Sequence, residues 1–136
     1  MYKTVKLFEE HRLAIIRVDG QLTFEAFLHW TEHDPDAQLC YGNDRIVIVA
    51  PTARAGSLTA AKLQLMQGRV LVEEHLRAAI PAWRSVIVTE DNSLSVVAEL
   101  YCALWNRLAT DLIHFDLAPS LPAALTLLGK PSDLDD

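Results

Sequence analysis

Arg45 to Leu65 reads R-I-V-I-V-A-P-T-A-R-A-G-S-L-T-A-A-K-L-Q-L. Ile46 to Ala50 are five apolar residues in a row, most of them β-branched. A run without polar alternation predicts a strand covered on both faces, as a central parallel strand is. Pro51 has no N–H to donate and ends the ladder. Gly56 marks a loop, and Thr59 opens a helix. Strand, loop and helix N-terminus in that order is where open α/β sheets place their sites. This loop carries no recognisable catalytic set.

Working outward towards the N-terminus, Tyr2 to Phe8 alternates, with Tyr2, Thr4, Lys6 and Phe8 on one side and Lys3, Val5 and Leu7 on the other. That predicts a half-exposed edge strand whose lysines discourage edge-to-edge aggregation. Glu9 to Arg12 is a polar turn, and Leu13 to Val18 is the return strand of an antiparallel hairpin. Asp19-Gly20 ends it. Thr23 suits an N-cap, with Leu22 stapling against Phe27, and the helix ends near His33 because Asp34 precedes Pro35.

Towards the C-terminus the same start signal recurs at Leu58-Thr59, with Leu63, Met66 and Val70 marking a stripe. Gly68 weakens its middle, and the helix stops before Pro81. Ser85 to Thr89 is a second buried strand. Leu94, Val97, Tyr101, Leu104 and Leu108 form a third helical stripe. Leu112 to Phe115 is a short last strand. Ser120 caps a final helix with Pro122 in its first turn, Leu121, Ala124, Leu125 and Leu128 facing inward, and Gly129 as the stop. The expected order is ββαβαβαβα. This is a single α/β domain with a mixed, mostly parallel five-stranded sheet, right-handed crossovers and four main helices.

The chain has 136 residues, enough for one domain with a substantial core. Residues 1–130 are assigned to that domain. Residues 131–136, with three Asp, read as a disordered, solvated acidic tail. The net charge of -6 disfavours nucleic-acid binding, which needs a cationic face. Cys40 and Cys102 are far apart and form no C-x-x-C, which fits a reduced, cytoplasmic protein. The N-terminus lacks an apolar h-region, so no secretory signal is expected, and no stretch reaches the length of a membrane span.

I-I-R-V-D-G-Q-L-T after the hairpin, H-D-P-D after the first helix, S-L-T opening the second, V-I-V-T-E-D, V-V-A-E-L-Y and the closing H-F-D…A-A-L-T-L-L-G stand in a definite order. In that order they resemble the STAS fold, and more closely the SpoIIAA-like group that shares it with CRAL-TRIO lipid-binding domains. The resemblance covers about Tyr2 to Gly129. It implies a small cytoplasmic, non-catalytic module that regulates or binds a protein partner, with no cofactor. The CRAL-TRIO analogy implies an alternative, a binder of a small apolar ligand such as a lipid. Two departures stand out. Ala50-Pro51 occupies the end of the central strand, where the group often carries Asp. Ala55-Gly56-Ser57 lies where anti-sigma antagonists carry Asp-Ser before a helix. Ser57 then approximates the phospho-acceptor position without its Asp.

The site is therefore expected in the loop Pro51 to Ser57 and the following helix start, with Thr52, Arg54, Gly56, Ser57 and Thr59 as binding residues. Unpaired N–H groups after Thr59 favour an anion, Arg54 adds positive charge, Thr52 and Ser57 offer hydroxyls, and Gly56 allows close approach. Ser57 reads either as a modification site or as a loop hydroxyl satisfying the backbone. G-S-L-T is not the G-x-S-x-G of a hydrolase. His29 and His33, with Glu25 and Asp36 nearby, have a spacing that can hold a metal, but H-E-x-x-H is absent and they read as surface residues. No metal site is assigned. No carboxylate ends the central strand, as a receiver domain would need, and no G-x-G-x-x-G is present. Trp105 beside the third stripe suits a core edge or a homodimer interface.

Overall fold

The computed structural model describes residues 2–23, 25, 43–54, 83–89, 95, 98–99, 102–103, 106 and 113–134. Its frame is one five-stranded sheet in sequential order: β1 (Tyr2–Phe8), β2 (Leu13–Asp19), β3 (Asp44–Val49), β4 (Trp83–Val88) and β5 (Ile113–Ala118). β1 is antiparallel to β2, and β2 to β5 are parallel. The hairpin closes through a 3-10 turn, Glu9–His11, after which Arg12 takes a left-handed conformation at φ 49°. The stretch around Ile48 does form the middle strand of the sheet, as its apolar run predicts.

The four-helix expectation, and with it the order ββαβαβαβα, is corrected. Among the described residues one α-helix is delimited, α1 (Leu121–Leu127), and the balance is 47% strand to 25% helix. Glu25, Ser95, Ala98, Glu99, Cys102, Ala103 and Asn106 have helical backbone, while the stripe residues Leu63, Met66, Leu94 and Leu104 lie outside the described residues. Apolar spacing says which face a helix would bury; caps and tertiary packing decide whether it forms. At α1 these signals coincide. Ser120 Oγ accepts from the Ala123 N–H at 3.2 Å, a cap that contributes about 1 kcal/mol. Pro122 lies in the first turn, where its missing N–H costs nothing. The C-terminus closes with Lys130 N–H on Leu125 O and Gly129 N–H on Thr126 O, a Schellman pair that requires the φ of 71° found at Gly129.

Residues opposite one another in the ladders share a face. On one face Leu13, Ile15, Ile46, Val86, Val88 and Ala118 pack with Ala124, Leu125 and Leu128 of the α1 region. On the other, Ala14, Ile16, Val18, Val49, Ile87 and Phe115 are buried. The expectation that β3 is covered throughout needs revision. Ile46 is fully buried, but Val47 and Ile48 are half-buried, Ile48 lying at the margin of the cluster. β2, with Leu13 to Ile16 essentially inaccessible, is the more enclosed strand. β5 also runs three residues beyond Phe115. Within it lies Asp116, whose carboxylate Arg84 and His114 both reach at 3.3 Å. Pro131 to Leu134 folds into a turn that brings Leu134 against the core.

Candidate functional site

The loops leaving the carboxyl ends of β2 and β3 are stitched to one another. The ladder continues past β3 through the Ala50 N–H on Val18 O at 2.9 Å. Pro51 then interrupts it, as its missing N–H requires. The Ala53 N–H turns back to Ala50 O, and the chain rejoins the extension of β2. There Arg54 N–H donates to Gly20 O at 3.0 Å and Leu22 N–H to Arg54 O at 2.8 Å, making a parallel bridge between Gln21 and Arg54. Gly20 turns with φ 84°, a conformation that a Cβ disfavours. Ala53 and Leu22 are buried beneath this junction, while Gln21, Pro51, Thr52 and Arg54 are exposed above it.

Asp19 is the hub. Its Oδ1 accepts from the Gly20 N–H at 2.7 Å, and Thr52 Oγ1 lies 2.8 Å from Oδ1 and 2.9 Å from Oδ2. The Thr52 hydroxyl, then the Gly20 N–H, and more weakly the Arg54 charge, favour the ionised carboxylate and hold its pKa below the ordinary value, against a small opposing effect of burial. Arg54 curls back so that Nη1 donates to Pro51 O at 3.1 Å and Ala53 O at 2.9 Å. The result is a firm polar shelf with one negative and one positive group.

Of the expected site residues, the structure brings Thr52 and Arg54 together; Gly56, Ser57 and Thr59 lie outside the described residues, as do His29, His33, Asp36, Trp30 and Trp105. In the sequence Asp19 stands only as a strand end. Its signal was the dipeptide Asp19-Gly20 closing an apolar run, which gives an Asx-type acceptor at the carboxyl edge of the sheet. The Thr52 hydroxyl, expected to be free for an anion, is committed to that carboxylate. A carboxylate with a lowered pKa is also a weaker general base. Among the described residues no three His, Cys, Asp or Glu side chains converge on a metal position. No helix among them is long and apolar enough to cross a membrane.

A second polar cluster lies at the amino ends of the strands. Lys130 Nζ donates to His11 O at 2.6 Å and pairs with Asp44 Oδ2 at 3.3 Å, while Asp44 Oδ1 accepts the Arg84 N–H. Arg84 Nη1 also donates to Leu127 O at the end of α1, where a cation complements the negative end of the helix dipole. A shallow cleft of about 400 Å³ is lined here by Glu10, His11, Arg12, Asp44, Gly129 and Lys130. These contacts join hairpin, sheet and helix terminus, and their chemistry is that of a structural latch. Comparisons of the chain with protein-family models, with curated proteins and with solved structures found no match.

Proposed function

We propose that this chain is a cytoplasmic, non-catalytic regulatory or protein-binding module of the STAS/SpoIIAA-like type, and that its partner docks on the shelf formed by Asp19, Gly20, Gln21, Thr52 and Arg54. The observation that carries the reading is the double tie between the two loops, side chain to side chain at Asp19–Thr52 and backbone to backbone at Gln21–Arg54. A loop held in place loses little conformational entropy on association, so its exposed groups can be spent on recognition. Ser57, shortly after Arg54 in sequence, is the proposed phospho-acceptor; a phosphate there would add negative charge to the segment that follows the shelf in the chain.

Native mass spectrometry of the protein purified from its own host tests this, with Arg54→Glu as the control. The expected result is a co-purifying protein that the Arg54→Glu variant loses while remaining folded. A retained lipid mass, with no protein partner, would instead favour the small apolar ligand reading. A partner that binds the variant equally well would remove the shelf from the account.

A further inference from the structure

Arg54 is held at both ends. Its backbone lies in the bridge to Gln21, with its N–H on Gly20 O and its carbonyl accepting from the Leu22 N–H. At the far end of the side chain, Nη1 donates to Pro51 O at 3.1 Å and to Ala53 O at 2.9 Å. Two acceptors take up both N–H bonds of Nη1. The Nε–H and Nη2–H edge is the opposite side of the planar guanidinium, so it points away from those carbonyls. Among the described residues the hydrogen bonds of this guanidinium run through Nη1, and Arg54 stays exposed.

We propose that this edge takes the carboxylate of one Asp or Glu side chain of the docked partner. The proposal rests on the reading that a partner docks on the shelf, and it adds the chemistry that the partner must bring. Two parallel N–H bonds match the two oxygens of a carboxylate in one plane, which a lysine ammonium at the same place cannot do. An arginine side chain ordinarily loses rotamer freedom when it binds. Arg54 has already given it up to the Pro51 and Ala53 carbonyls, so the fork is pre-organised.

Asp19 limits what the shelf accepts. Its carboxylate is bonded by Thr52 and by the Gly20 N–H, and it lies near enough for the Arg54 charge to act on it. A phosphate group placed on Arg54 meets that like charge with about twice the repulsion that a carboxylate does. The net charge of -6 works in the same direction at longer range and disfavours a run of acidic residues. The shelf therefore suits an isolated carboxylate with a hydrogen-bond donor beside it for Asp19.

Blocked tripeptides with a central glutamate, glutamine or phosphoserine test this on the full chain. NMR reads the Arg54 Nε–H and the Thr52 and Arg54 amides. The glutamate peptide should bind roughly threefold to fivefold more tightly than the other two. Arg54→Lys should remove its margin over the glutamine peptide. Asp19→Asn should raise the affinity of the phosphoserine peptide more than that of the glutamate peptide. Amide spectra check that both variants fold as the parent does. Equal binding of glutamate and glutamine, tightest binding of phosphoserine on the parent chain, or a preference that survives Arg54→Lys overturns the inference. A host partner that covers the shelf while the three peptides leave it silent overturns the carboxylate assignment alone. A glutamate peptide on the shelf with the host partner bound elsewhere overturns the docking reading, and with it the assignment to a partner's side chain.

Discussion

The Thr52 hydroxyl reaches both carboxylate oxygens of Asp19, at 2.8 and 2.9 Å, across a separation of 33 residues. The contact joins the ends of two parallel neighbours, β2 and β3, at the edge where open sheets of this kind present their sites. It fixes the shape of the shelf, and it decides that the shelf carries an ionised carboxylate beside Arg54.

The tie should be visible in the titration of Asp19. Its folded pKa is depressed, chiefly by the Thr52 hydroxyl. The stability it contributes is therefore fully present above the ordinary Asp range and is lost as the pH falls through the folded value. Thr52→Val should move the Asp19 pKa up towards its ordinary value of 3.8. NMR detection of the carboxyl carbon measures this directly, and identical titration curves in parent and variant would count against the contact.

Burial separates two neighbours on β3. Ile46 is wholly enclosed and Ile48 is half-buried. Ile46→Ala should cost about 2–5 kcal/mol, and Ile48→Ala roughly half as much. Urea denaturation ranks the two, and an equal or reversed ranking would contradict the placement of the core.

Gly129 ends α1 with a positive φ, and a Cβ there would meet nothing within 4 Å. The cost of Gly129→Ala is then conformational, about 1–2 kcal/mol, and Gly129→Asn should recover part of it. Thermal or chemical unfolding of the two variants checks the order.

Lys130 is mostly enclosed and bonds both the His11 carbonyl and Asp44. Lys130→Met should destabilise the fold by about 1–3 kcal/mol, since it removes the charged donor from the His11 carbonyl and from Asp44 Oδ2. Moderate salt should change this little, because the pair is shielded from solvent. A loss that vanishes in salt would mark the contact as a surface pair.

The sheet was largely legible because its signals were local and mutually consistent. The alternation of Tyr2 to Phe8, the apolar runs at Leu13, Ile46 and Ser85, and the proline after Ala50 each report on one strand. The final helix was legible for the same reason, with Ser120, Pro122 and Gly129 agreeing. What escaped was non-local. Asp116 could be placed inside β5 only by knowing that Arg84 of β4 and His114 of β5 lie on its face of the sheet and reach its carboxylate. Asp19 became a site residue only once β2 and β3 were neighbours in register, which brings Thr52 to it. The helix count rested on apolar spacing, a property shared by segments whose helicity tertiary packing must decide.

The central claim is that partners read the carboxyl-end shelf. Its most direct test is a ¹H–¹⁵N NMR titration of the labelled chain with the protein that co-purifies from its host. The account predicts that the amides of Gly20, Gln21, Thr52, Ala53 and Arg54 shift together, and that Arg54→Glu abolishes the response. Shifts confined to Glu10, His11 and Lys130 at the opposite end of the strands, with the shelf silent, would contradict it.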